Sequence, residues 1–121
     1  MKIETHRGDL LNDAIEIVGK FPSAGGANIV YDIVVKDVPY QYINPSVKLK
    51  FQDGNPNECI NGISNEALLA VLIDRLSSFQ SGKFACTENQ VALEGCLSAM
   101  GALKSRTASR VEKGIEGTQE I

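Results

Sequence analysis

Two amphipathic stretches in the second half of the chain, residues 65–79 and 88–113, flank the short turn Gln80-Ser81-Gly82-Lys83-Phe84. This layout constrains the fold most, because two helices joined by so few residues run back side by side. In the first stretch Leu68, Leu69, Leu72, Ile73, Leu76 and Phe79 recur at helical spacing, with Ser64 or Asn65 as the N-cap. In the second, Val91, Leu93, Leu97, Met100 and Leu103 form the apolar stripe, and Thr87 with Gln90 reads as a capping box. Ala92, Ala99, Gly101 and Ala102 are small enough to let a partner helix approach closely, and Gly114 is a natural stop.

The first half reads as strands. Residues 27–35 are β-branched and follow the Gly25-Gly26 turn signal. Asp37-Val38-Pro39 breaks that run, residues 46–51 alternate polar and apolar, and residues 53–57 are a turn cluster. Residues 10–21 fit a strand at 14–18 or a short helix begun by Asn12 or Asp13; strand is favoured, ending in Gly19. The expected class is therefore α+β: an N-terminal antiparallel β-sheet followed by a C-terminal long helical hairpin. A length of 121 residues suits one domain, residues 1–121, strand-rich over about 1–60 and helical over about 61–121.

Composition narrows function mainly by exclusion. A net charge of −3 argues against bulk binding of DNA, RNA or anionic membranes. No apolar run approaches the roughly 20 residues that span a bilayer, and the N-terminus lacks the apolar centre of a signal peptide, so a cytoplasmic location is expected. Cys59, Cys86 and Cys96 are an odd count without metal-like spacing, and the single His6 lies far from them and reads as a surface residue. No phosphate-binding loop with its lysine, paired-histidine zinc motif or nucleophile elbow is present. No catalytic residue, metal ligand or cofactor is assigned. A non-enzymatic binder is expected.

Arg106 and Arg110, four residues apart, share a helix face. They complement the C-terminal helix dipole, or they hold phosphate or carboxylate through fork-like guanidinium donors. Phe79 and Phe84 bracket the hairpin turn, either closing its core or stacking on a base. Asn89, in the first turn of the second helix, either faces water or bonds a ligand beside free backbone N–H groups.

The runs Asn61-Gly62-Ile63-Ser64-Asn65-Glu66-Ala67-Leu68-Leu69, Phe79-Gln80-Ser81-Gly82, Phe84-Ala85, Glu88-Asn89 and Arg106-Thr107, closing on Gly114-Ile115-Glu116-Gly117-Thr118, resemble the helical-hairpin domain of phage sponge proteins. That group includes the first-described Thoeris anti-defence family and the second anti-CBASS family. The strand-rich half, with Phe21-Pro22-Ser23-Ala24-Gly25-Gly26-Ala27-Asn28, resembles the anti-Thoeris branch. The resemblance implies that the protein binds glycocyclic ADP-ribose, the signal made by bacterial TIR immunity enzymes in the host cytoplasm, and sequesters it uncleaved. It implies ligand contacts from Phe79, Asn89 and Arg106, with Thr107 and Arg110 placed by adjacency; Phe84 joins the candidates as the second aromatic at the turn. Alternatives are a sponge for CBASS cyclic oligonucleotides, or a phage interaction or assembly module that binds no nucleotide. Related hairpins often carry a basic residue where this chain has Thr87, and more arginine near the C-terminal end, where Val111 and Lys113 stand here; a second, oligonucleotide pocket is left open.

Asn89 and Arg106 lie 17 positions apart on one helix, about 25 Å at 1.5 Å per residue. One small ligand cannot touch both in the same chain. If both contact it, the tip of one chain must meet the arginine end of another, which makes a homodimer the minimal unit and leaves a hexamer, a trimer of dimers, open.

Overall fold

A computed structural model describes residues 1–113. The elements follow the order β1 (Lys2–Ile3), α1 (Leu10–Asp13), β2 (Ile15–Pro22), β3 (Asn28–Val35), β4 (Val47–Lys50), α2 (Asn65–Gln80) and α3 (Thr87–Lys113). The strands form one antiparallel sheet in sequence order, so the expected α+β class is the one observed. The closing Gly114–Thr118 motif and the Gly114 stop lie outside the described residues.

Residues 10–21 contain both of the elements weighed for them. Asp9, and not Asn12 or Asp13, caps the short helix: its carboxylate accepts from the Asn12 N–H at 2.9 Å. The strand then runs past Gly19 as far as Pro22. Gly19 does not end it, because the glycine is a packing site: a Cβ there would strike the Asn28 side chain and lie 3.3 Å from the Tyr31 ring, on the residue paired with Gly19 across the ladder. The β2–β3 turn closes through Ser23 N–H to the Ala27 carbonyl (2.7 Å), with Gly26 at φ +94. Only glycine takes that conformation without a steric cost.

Period-two alternation divides the sheet into two faces. Ile17, Ile33, Tyr31, Leu49 and Phe51 point to one side. Glu16, Lys20, Asp32 and Lys48 point to the other, where Asp32 bridges Lys20 (2.6 Å) and Lys48 (3.2 Å). Tyr31 and Phe51 meet edge to face, ring centres 5.7 Å apart.

A parallel bridge between Phe51 and Ile63 carries the chain from sheet to helix. Asn61 secures the intervening loop by copying a backbone pair: its side chain accepts from Asp53 N–H (2.9 Å) and donates to the Asp53 carbonyl (2.8 Å). Ser64 then caps α2, its hydroxyl accepting from Ala67 N–H at 3.0 Å. The expected capping box at Thr87 is not the device used at α3. Cys86 takes the preceding position, its carbonyl receiving the Gln90 N–H, while its own N–H donates to the Gln80 side chain at 2.9 Å. The Gln90 side chain is thus drawn to Gln80 and Glu94.

The two helices pack on each other along a three–four seam. Along it Leu69, Ile73 and Leu76 of α2 and Leu93, Cys96, Met100 and Leu103 of α3 are half-buried. Leu68, Leu72, Phe79, Val91 and Leu97 belong to the expected apolar stripes but remain exposed by 37–63%. The hairpin thus has a second apolar surface that the chain itself does not cover.

Candidate functional site: a cleft between the sheet and the end of the long helix

Unequal helix lengths create the site. α2 rises for 16 residues, about 24 Å, and α3 returns for 27, about 40 Å. The surplus carries the end of α3 past the start of α2 and over the sheet. The level is fixed by a hydrogen bond 41 residues apart in sequence, in which the Thr107 hydroxyl donates to the Glu66 carboxylate at 3.1 Å. One turn on, Arg110 is 7% exposed.

Between these layers lies a cleft of about 770 Å³. Ile17, Tyr31, Ile33, Leu49 and Phe51 form its apolar floor. The β2–β3 turn supplies Ser23, Gly25 and Asn28 at one edge, and Asp53 and Gly54 come from the loop after β4. Glu66 and Ser64 come from the start of α2, and Arg106, Thr107 and Arg110 from α3. The arrangement joins an aromatic-bearing apolar surface to two guanidinium groups and two carboxylates. A planar ring can lie on such a floor while a phosphate is held by arginine. Among the described residues no cluster of three or more His, Cys, Asp or Glu side chains is placed to hold a metal ion.

The six residues singled out in the sequence fall into two groups. Arg106, Thr107 and Arg110 line the cleft. Phe79, Phe84 and Asn89 lie at the opposite end of the hairpin and do not line it. Phe79 is 40% exposed with the Arg75 guanidinium 5.6 Å from its ring centre, and Phe84 is 66% exposed with the Lys83 ammonium at 5.4 Å. Both rings are therefore available for stacking, not sealed as a hairpin-closing core. Asn89 is half-buried, its N–H directed to the Cys86 sulfur at 3.5 Å. His6 is not the surface residue its isolation implied: Nε2 lies 2.7 Å from the Ile15 carbonyl and Nδ1 is buried.

Several lining residues escaped the sequence reading. Tyr31 and Phe51 were legible in principle, since both occupy the apolar phase of strands that alternate. Asn28 closes the run Phe21–Asn28 that carried the resemblance, without a role attached. Glu66 had no local signal, because its position depends on the register between α2 and α3.

Residues 44–108 match the family described as Acb2/Tad1, hairpin domain. That is more than half of the chain, spanning β4, all of α2 and most of α3, and the chain belongs to this family. It is also similar to Thoeris anti-defense 1 of Bacillus phage SBSphiJ7, with 45% identity over 60 residues. The aligned segment covers 50% of this chain and 42% of that relative. Among the described residues no helix is long and apolar enough to cross a membrane.

Proposed function

We propose that this protein is a phage anti-defence sponge that binds glycocyclic ADP-ribose, made by bacterial TIR immunity enzymes in the host cytoplasm, and holds it uncleaved. The observation that carries this reading is the cleft that unites Arg106, Thr107 and Arg110 with the Tyr31–Phe51 floor. Adenine would lie on the floor, and the pyrophosphate would bridge the guanidinium groups. Sequestration works by affinity alone. To compete with a host effector it needs a dissociation constant of about 1 nM, or about −12 kcal/mol.

We infer further that the pocket is completed by the tip of a second copy, which brings Phe79 and Asn89 to the arginine end. Two features support association. Leu68, Leu72 and Phe79 leave an apolar stripe of α2 uncovered at helical spacing. On α3, Val91 and Leu97 are also uncovered, and Gly95 and Gly101 leave open space for a close neighbour. Cyclic oligonucleotides are the competing ligand class, and the exposed Phe79 and Phe84 with their Arg75 and Lys83 neighbours are what favours keeping them in the test.

Isothermal titration with glycocyclic ADP-ribose, followed by heat denaturation and chromatography of the released ligand, tests the proposal. Tight binding near one ligand per chain with intact release is expected. An altered ligand would identify an enzyme, and no heat at micromolar concentration would transfer the assay to cyclic oligonucleotides.

A further inference from the structure

Glu66 is a carboxylate in a wall otherwise suited to anions. It lines the same cleft as Arg106 and Arg110, it is half-buried, and among the described residues it belongs to none of the ion pairs. Its Oε2 accepts the Thr107 hydroxyl at 3.1 Å. An ionised carboxylate offers about four acceptor positions, so one bond from Thr107 leaves most of its capacity directed elsewhere. The interhelix bond also holds the side chain across the hairpin base instead of letting it extend into water.

Position and chemistry together limit what Glu66 can bind. A phosphate beside it would meet like charge. A hydroxyl pair would donate to it, as the acidic residue of dinucleotide-binding folds accepts from a ribose while a phosphate on that hydroxyl is refused. We propose that Glu66 is the residue that reads ribose hydroxyls in this cleft, held in place by Thr107 as a positioning residue, while Arg106 takes the phosphates. This rests on the nucleotide reading of the cleft and deepens it: the ligand class becomes one that presents a free vicinal diol within reach of its pyrophosphate.

The same arrangement explains a carboxylate among arginines without treating it as a simple helix-end charge. A glutamate in the first turn complements the dipole wherever it points. Here it points across to α3, into the wall that holds the cationic groups.

Two probes separate the roles: glycocyclic ADP-ribose, which carries ribose hydroxyls, and inorganic pyrophosphate, which carries none. Titrations compare the unmodified protein with Glu66→Gln, Thr107→Val and Arg106→Ala. Glu66→Gln keeps an acceptor for Thr107, so the fold is retained. It should weaken glycocyclic ADP-ribose about 10- to 100-fold, the effect of losing charge-assisted hydrogen bonds, and leave pyrophosphate binding unchanged or stronger. Thr107→Val should move the first probe in the same direction by less, and Arg106→Ala should weaken both. Equal weakening of both probes by Glu66→Gln, or no change in either, would overturn the proposal while leaving the nucleotide reading in place. Failure of the unmodified protein to bind either probe would overturn both.

Discussion

Gly62 lies so close to Phe51 that a Cβ on it would overlap the Phe51 carbonyl group and sit 2.6 Å from the Gln52 nitrogen. Two backbones meet there, at the parallel bridge that joins the sheet to α2. The obstruction is main chain, so no side-chain rotation can relieve it. The start of α2 sets where Glu66 and Ser64 stand, and this contact therefore positions one wall of the cleft as well as the fold.

Gly62→Ala should accordingly destabilise the protein by about 2 kcal/mol or more, the range of backbone and packing conflicts. For a chain of this size that corresponds to a fall of roughly 10 °C in Tm. Thermal unfolding by circular dichroism checks it. Gly101→Ala, melted at dilutions where the chain is monomeric, is the internal control, because nothing in the same chain lies within 4 Å of a Cβ at that exposed helical position. Its effect should be neutral or slightly stabilising.

Both of these glycines are visible in the sequence, yet only one looked informative there. Gly101 stands out as a helix weakener, whereas Gly62 is one loop glycine among several. The legible features were local: the Ser64 cap, the β-branched run that became β3, the alternation that became β4, and the helical periods of α2 and α3. What was not legible depended on distant partners. Gly19 looks like a strand terminator until Tyr31 and Asn28 are laid across it. Cys86, the residue before α3, and not Thr87 stands at the cap, with its N–H received by Gln80 on the other helix. The cleft was half legible for the same reason: the arginines announce themselves by spacing, but their meeting with the sheet follows from the excess length of α3.

The polar face of the sheet gives a pH dependence with a defined sign. Hydrogen bonds from Lys20 and then Lys48 hold the Asp32 carboxyl below its usual range, against an opposing effect of desolvation. A depressed carboxylate contributes stability that is present above its unfolded pKa of about 3.9 and is lost as pH falls through the lower folded value. Glu16 is shifted the same way by Lys36. The protein should lose stability on acidification below about pH 4. Asp32→Asn should flatten that slope in thermal melts recorded from pH 5 to pH 2, and an unchanged slope would remove Asp32 from the account.

Arg106 and Arg110 share a helix face but differ in burial, so their substitutions should differ in kind. Arg106 is exposed. Arg106→Ala should weaken glycocyclic ADP-ribose by roughly 10-fold or more, the loss of a charge-assisted contact, and leave Tm within about 2 °C. Arg110 is 7% exposed, and its removal deletes buried contacts along with charge. Arg110→Ala should lower both Tm and affinity. Matched titration and melting of the two variants decide this; a large fall in Tm for Arg106→Ala would mean that the residue serves the fold.

The distance between the arginine end and the hairpin tip makes the composite pocket testable by mixing. Suppose each site takes Phe79 from one chain and Arg106 from its partner. Neither Phe79→Ala nor Arg106→Ala alone then retains a complete site in its homodimer. In a heterodimer of the two, one site inherits both substitutions and the other inherits neither. Random reassortment of equal amounts gives about half heterodimers, so about one quarter of the original sites should reappear, each with full affinity. Denaturing and refolding the mixed variants, then titrating glycocyclic ADP-ribose, measures that fraction. A pocket completed within one chain predicts a different outcome: mixing restores no site beyond the sum of the separate variants, because each chain keeps its own defect.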